Sequence, residues 1–203
     1  MESTPGRRAT AGEWLWGEGA PAASGVAGRE AQAWARQRLD AGRARQAAAD
    51  LKTKALALAS PVERTQVLGS IAVILSRGNQ LPPELARLFL ALATESLKSI
   101  PGAGQSSALG DLAVSMAEVF ANETTARLKA GMWSKAQASA TQVEDLLKQA
   151  PDAWAQMRLQ AIDHQVKLQL GQDDKANQSL DAALAQATKT GSLLEQSANL
   201  RSI

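Results

Sequence analysis

The chain has 203 residues, of which 45% are hydrophobic, 21% charged and 3% aromatic, with one histidine and no cysteine. The lack of cysteine excludes disulfides, thiolate metal sites and a cysteine nucleophile. The 22 basic and 20 acidic residues leave a formal net charge of +2. They form no basic run, so the sequence predicts no nucleic-acid partner, because such binding needs clustered lysine and arginine.

Residues 1–27 carry five glycines and no helical apolar period, which predicts a flexible N-terminal tail. Trp14 and Trp16 stand out within it. They are candidate anchors that dock in a groove of this chain or of a partner, since buried tryptophan often dominates binding energy. The alternative is that both fold back onto the first helices without a role in binding.

From residue 28 onward, apolar residues recur at helical spacing between glycine and proline breakers, and no segment alternates as a strand would. Alanine, a strong helix former, is abundant with 41 residues. The sequence therefore predicts an all-α domain over residues 28–203. Its apolar stripes are Leu68, Ile71, Ala72 and Leu75; Leu85, Leu88, Phe89 and Leu92; Leu109, Leu112, Ala113, Met116 and Phe120; Ala136, Ala140, Val143 and Leu147; and Ala176, Leu180, Ala183, Leu184 and Ala187.

Two patterns indicate that the helices come in repeated pairs. The string Val67–Ala72 is echoed 41 residues later by Ala108–Ala113, with weaker echoes at 158–162 and 199–203. A glycine also stands five residues before an alanine at three turns between helices. Such a glycine suits the left-handed end of one helix, and the alanine lets the next helix cross closely. The pairs are Gly42/Ala47, Gly131/Ala136 and Gly171/Ala176.

This turn resembles that of the tetratricopeptide repeat, most closely from Pro151 and Trp154 through Gly171 to Ala176. The chain departs from the family in having His164 where the first helix usually has glycine, and in a period near 40 rather than 34. The resemblance implies antiparallel helix pairs stacked as a right-handed α-α superhelix over residues 28–203. A compact, non-repeating helical bundle is the alternative. Residues 192–203 are predicted to be either a cap or the first helix of a further pair in a protein that continues beyond residue 203.

The predicted helix at 152–170 is apolar on two faces. One face carries Leu159, Ile162, Val166 and Leu170 and is expected to pack on the partner helix. First helices line the groove in tetratricopeptide-like arrays, so the resemblance implies that the other face contacts a bound peptide. Packing of Trp154 and Met157 between repeats is the alternative. The candidate partner-binding residues on or beside this face are Trp154, Met157, Arg158, Ala161, His164, Lys167 and Leu168.

The sequence predicts no catalytic residue, cofactor or metal site. His164 and Asp163 are adjacent on a helix, so their side chains diverge and do not form a positioned acid–base pair. We therefore predict a non-enzymatic scaffold that binds a protein or peptide. The alternative is a helical regulatory or accessory domain truncated from a larger enzyme or from a secretion or envelope system.

No apolar run reaches the roughly 18 residues of a membrane span, and the N-terminus has no apolar signal segment. Cytoplasm is the expected compartment, and the periplasm is the alternative if a signal peptide is missing from this chain. The oligomeric state is left open by the sequence.

Overall fold

The computed structural model describes residues 44–77 and 83–189, together with residues 196 and 200. Within these residues the chain forms seven helices and no strand, which confirms the all-α prediction. We number the helices in chain order. They are α1 (Ala44–Leu56), α2 (Pro61–Arg77), α3 (Pro83–Leu97), α4 (Gly102–Lys129), α5 (Trp133–Lys148), α6 (Ala153–Gln169) and α7 (Asp173–Ala187).

The helices associate in consecutive pairs. α2 packs along α3, α4 along α5 and α6 along α7, and these are the three most extensive contacts between helices. The first helices of the pairs also touch in order, α2 against α4 and α4 against α6. α3 contacts α4, α5 contacts α6, and α1 contacts α2. The described helices are therefore compatible with a helical repeat in which each pair packs on the next.

Two of the pairs turn through the same glycine motif. Gly131 and Gly171 have φ angles of 71° and 67°, in the left-handed region that glycine adopts without strain. The N–H of Gly131 donates to the Leu128 carbonyl at 3.0 Å, and the next N–H along the chain donates to the Arg127 carbonyl at 2.8 Å. The Gly171 turn repeats both bonds one unit later. This is the Schellman pattern, so the predicted role of both glycines is confirmed.

Alanine takes the places where helices meet most closely. Ala136 and Ala176, each five residues after a turn glycine, have no exposed surface. Their small side chains let the two axes of a pair approach, because a larger residue would push the helices apart. Ala47, which the sequence placed after a similar turn, is 5% exposed on α1.

The first helices also approach each other at glycines. A Cβ atom on Gly69 of α2 would lie 3.0 Å from the Ser115 Oγ of α4. A Cβ on Gly110 of α4 would lie 3.1 Å from the Asp152 Oδ2 at the start of α6. These glycines occupy the same position in the two strings that echo each other 41 residues apart. The echo therefore marks the surfaces through which successive first helices touch.

Two apolar clusters form the core. One joins α1, α2 and α3 to α4 around the fully buried Phe89. The other lies among α4, α5 and α6 and contains the whole predicted stripe of α6. Three leucines of the predicted stripes are instead exposed, and in each case an adjacent residue of the same helix is buried, namely Phe89, Ala108 and Ala183. The exposed leucines are Leu88, Leu109 and Leu184, with 43%, 40% and 38% of their surface exposed.

Several sequence predictions fall on other parts of the chain. The predicted tail of residues 1–27 with Trp14 and Trp16, the turn at Gly42 and most of residues 192–203 lie outside the described residues.

Candidate functional site

A groove lies across the first helices of all three pairs. Its cavity measures about 230 Å³, which is smaller than the roughly 300–1,000 Å³ of pockets that hold drug-sized ligands. We call it the first-helix groove. Its lining comprises Arg77 from α2; Glu118, Ala121 and Asn122 from α4; and Arg158, Ala161, Ile162 and Gln165 from α6.

Charged residues of alternating sign follow one another across the first-helix groove. Arg77, Glu118 and Arg158 are 41 and 40 residues apart, so each first helix supplies one of them. The Arg77 guanidinium and the Glu118 carboxylate form an ion pair of 3.0 Å that joins α2 to α4. Because 63% of the Arg77 side chain is exposed, water screens this pair and its stabilising contribution is small. Two guanidiniums against one carboxylate give the groove a formal charge of +1.

The floor of the groove is made of small and apolar side chains. Ala121 and Ala161 are 40 residues apart and occupy equivalent places on α4 and α6. Ile162 lies beside them and is 7% exposed. At the wall, the Asn122 side-chain amide donates to the Ser76 hydroxyl at 2.9 Å, which fixes the orientation of that amide. A floor of alanines leaves room for the backbone of a ligand to approach the helices.

Four of the binding residues predicted from the sequence share one side of α6. Arg158 and Ala161 line the first-helix groove directly. Trp154 and Leu168 lie seven residues before and after Ala161, so two helical turns bring them to the same face. Trp154 is 37% exposed and Leu168 is 46% exposed. These four residues share one face of α6, on which Trp154, Arg158 and Leu168 are accessible, whereas Ala161 is 6% exposed and lies in the floor of the groove.

Three other predicted binding residues lie on the packed side of α6. Met157 is 1% exposed and therefore belongs to the interior, as the packing alternative expects for it. The His164 Nδ1–H donates to the Ala176 carbonyl of α7 at 2.9 Å. The Lys167 ammonium donates to Asp163 Oδ2 at 2.6 Å and to the Ser179 hydroxyl at 3.1 Å. His164 and Lys167 thus join α6 to α7 and are not brought to the groove.

The contacts of Lys167 belong to a buried polar cluster that occurs twice. The α6 cluster consists of Asp163, Lys167 and Ser179, and the Ser179 hydroxyl donates to Asp163 Oδ2 at 2.7 Å. The α4 cluster consists of Glu123, Arg127 and Ser139, and lies 40 residues earlier at every member. In both clusters an acid and a base one helical turn apart bond to a serine on the second helix of the pair.

The α4 cluster has one further member from the preceding pair. The Arg87 guanidinium of α3 donates to Glu123 Oε1 at 2.9 Å and to Oε2 at 2.7 Å. Arg127 also donates to the Glu123 carboxylate, at 3.0 Å, and to the Ser139 hydroxyl. The hydrogen bonds that Arg87 donates to Glu123 raise the pKa of Arg87 above its ordinary value. Glu123 therefore joins α3, α4 and α5 through one carboxylate.

Of the eight residues that line the groove, only Arg158 and Ala161 were predicted from the sequence to bind a partner, and neither polar cluster was predicted. Four of the residues missed are polar and lie on helices, where a polar side chain is ordinarily expected to face solvent. They are Arg77, Glu118, Asn122 and Gln165. The signal that would have found Glu118 is its place 40 residues before Arg158, the interval between the two turn glycines. The same interval relates every member of the two clusters.

Among the described residues, no three histidine, aspartate or glutamate side chains come close enough to hold a metal ion. None of the described helices is both long enough and apolar enough to cross a membrane.

Comparison with known proteins gives this chain no relative. No protein family, curated protein or solved structure matches it.

Proposed function

We propose that this protein is a non-enzymatic helical-repeat scaffold that binds an extended segment of a protein partner in the first-helix groove. In this proposal the helix pairs stack as a tetratricopeptide-like right-handed superhelix whose first helices face the partner. The observation that supports it is the lining of the groove, which comes from the first helices of three successive pairs and from no second helix.

Binding in such a groove would depend on shape and on a few buried side chains. Trp154 and Leu168 are 14 residues apart on α6, a distance of about 21 Å at the rise of an α-helix. An extended segment of about six residues spans that distance. Trp154, being large and 37% exposed, is the expected anchor, since a few central aromatic residues commonly carry most of the binding energy. The alanine floor would admit the backbone of the segment between the two ends.

The experiment compares two tryptophans that are both exposed. The full chain, its Trp154→Ala variant and its Trp133→Ala variant are each used to capture partners from a cell extract, followed by mass spectrometry. Trp133 is 51% exposed on α5, a second helix that contributes no residue to the groove, whereas Trp154 is on α6 and flanks the groove. We expect Trp154→Ala to lose partners that Trp133→Ala retains, by at least about tenfold, the ratio that corresponds to a loss of 1.4 kcal/mol.

Circular dichroism provides the control for folding. Both variants should keep the helical spectrum of the original chain, because the two side chains are partly solvated. Equal capture by all three proteins, or equal loss in both variants, would contradict the proposed role of the groove.

A further inference from the structure

The ionised groups that line the first-helix groove are mainly basic, with two guanidiniums and one carboxylate. Donor groups come from all three first helices: the guanidiniums of Arg77 and Arg158 and the amides of Asn122 and Gln165. The lining holds a single carboxylate, that of Glu118. A ligand group that accepts several hydrogen bonds and carries negative charge is therefore complementary to this lining.

Glu118 limits how much negative charge the groove accepts. Its carboxylate already pairs with Arg77 at 3.0 Å and is 26% exposed, so it remains inside the groove when a ligand binds. A dianionic phosphate would meet this charge at close range and lose much of its attraction to the arginines. A singly charged carboxylate meets half of that repulsion and still presents two oxygens to the planar donors of a guanidinium.

The size of the cavity favours a single side chain. A volume of about 230 Å³ is below that of pockets for cofactors or drug-sized molecules. Ala121 and Ala161 form an apolar floor between the charged walls. The methylene groups of an acidic side chain would lie on that floor with the carboxylate between the guanidiniums.

We infer that the first-helix groove selects its peptide by a glutamate or aspartate side chain that binds between Arg77 and Arg158. This inference rests on the proposed function and adds the chemical class of the segment bound. Arg158 contributes the second guanidinium, and Glu118 lowers the affinity for anions while excluding doubly charged ones.

The test uses three pools of end-capped hexapeptides, randomised at every position except one. The fixed position holds glutamate, glutamine or phosphoserine, and each pool is passed over the immobilised full chain. We expect the glutamate pool to be retained at least about fivefold better than the glutamine pool, the gain of a charge-assisted hydrogen bond in a partly solvated site. Retention of the phosphoserine pool should not exceed that of the glutamine pool.

Variants of the two groove charges give opposite expected results. Arg158→Gln should remove the preference for glutamate, and Glu118→Gln should increase it and admit phosphoserine. Lys135→Gln is the matched control, since Lys135 is exposed on α5 and does not line the groove. That variant should leave the preference unchanged. The preference should also shrink between 0.1 and 1 M salt, because screening weakens exposed ion pairs.

The outcomes separate this inference from the proposed function. Equal retention of the glutamate and glutamine pools, with both lost in Trp154→Ala, would overturn the carboxylate preference and leave peptide binding in place. A preference for phosphoserine would overturn it in favour of a phosphopeptide. Retention of no pool would contradict both.

Discussion

The α4 and α6 clusters occupy equivalent places in successive helix pairs but are built from different ions. In the α4 cluster, Glu123 bonds to Arg127 and to Arg87 of the preceding pair. In the α6 cluster, Asp163 bonds to Lys167, and the link to the preceding pair is a 4.0 Å contact between Lys167 and Glu144. The bidentate arginine contact is the stronger of the two links, because it makes two charge-assisted hydrogen bonds.

The comparison shows which part of the unit the two pairs have in common. Both clusters keep the acid eight residues before the turn glycine, the base four before it and the serine eight after it. This geometry joins the two helices of one pair, whichever acid and base are used. The charges of the link to the preceding pair are reversed. In the α4 cluster the preceding pair supplies an arginine that contacts the acid, whereas in the α6 cluster it supplies a glutamate that contacts the lysine. The polar contacts within a helix pair are therefore the same in the two clusters, and the contact with the preceding pair is what differs.

The largest expected effect comes from removing the base of the α6 cluster, for which the base of the α4 cluster provides the comparison. Lys167→Met leaves the Asp163 carboxylate, only 1% exposed, without a cation, and should lower the free energy of unfolding by about 3 kcal/mol. Arg127→Met should cost only about 1 kcal/mol, because Arg87 still binds Glu123. Urea unfolding at pH 7, followed by circular dichroism, measures both losses.

A double substitution tests the physical reason. Changing Asp163→Ala together with Lys167→Met removes both charges and should cost less than Lys167→Met alone. If Lys167→Met and Arg127→Met lowered the free energy of unfolding equally, Arg87 would not compensate for the loss of Arg127. The expected difference in stability between the two clusters would then be wrong.

Substitution of either turn glycine is expected to have a smaller effect than Lys167→Met, and the two substitutions should have equal effects. Gly131→Ala and Gly171→Ala place a Cβ in the left-handed region, which should lower the free energy of unfolding by about 1 kcal/mol in each case. No atom lies within 4 Å of either added Cβ, so the cost is in the backbone alone. Gly102→Ala, at the start of α4 in equally open space, is the control and should cost nothing. Unequal losses at the two turns in urea unfolding would contradict their equivalence.

The smallest expected effect concerns the contacts between first helices. The contact of α4 with α2 includes a hydrogen bond to Asp111, whereas its contact with α6 sets Asp111 against a second carboxylate. Asp111 of α4 accepts a hydrogen bond from Gln66 of α2 at 2.9 Å and faces the charge of Asp152 at the start of α6. Burial raises the pKa of Asp111 above its ordinary value, and the charge of Asp152 adds to this, whereas the bond from Gln66 lowers it. The folded chain thus holds the Asp111 proton more tightly than the unfolded chain. Its stability falls as pH rises from the ordinary aspartate pKa through the raised one.

Asp111→Asn removes this loss and keeps an acceptor for Gln66. We expect it to raise the free energy of unfolding at pH 7 by less than about 1 kcal/mol, with no gain at a pH below the ordinary aspartate pKa. Thermal unfolding across that pH range provides the measurement. Asp181→Asn, at an exposed position on α7, is the control. Destabilisation by Asp111→Asn at pH 7 would show that the charge is favourable where it lies.

Local chemistry made much of the fold predictable from the sequence. Gly131 and Gly171 were recognisable because a left-handed turn and a following small residue leave a short, specific pattern. The α6 stripe ending at Leu170 was recognisable because its apolar residues follow the helical period. Helical periodicity predicts which residues share a face of a helix, however, and not how deeply each of them is buried. Trp154 and Met157 are three residues apart on one predicted face, yet one is 37% exposed and the other 1%.

The groove and the clusters depended on contacts that a sequence does not display. Glu118 becomes part of a site only because Arg77 and Arg158, 41 and 40 residues away, are brought beside it by the stacking of first helices. Ser179 bonds to Asp163 across a turn, 16 residues later. The sequence of an Ala-rich helix does not show whether a single serine, acidic residue or lysine is buried against a partner or exposed to solvent.

The position of α4 has a consequence for the order in which the molecule opens. This helix, the longest described, packs against α2 and α3 on one side of the array and α5 and α6 on the other. Amide hydrogens in its middle can exchange with solvent only when the pairs on both sides separate. Among the described helices, α1 packs chiefly against α2 and α7 chiefly against α6, so each of them can open alone. Among the described helices, exchange should therefore begin in α1 and α7 and reach α4 last.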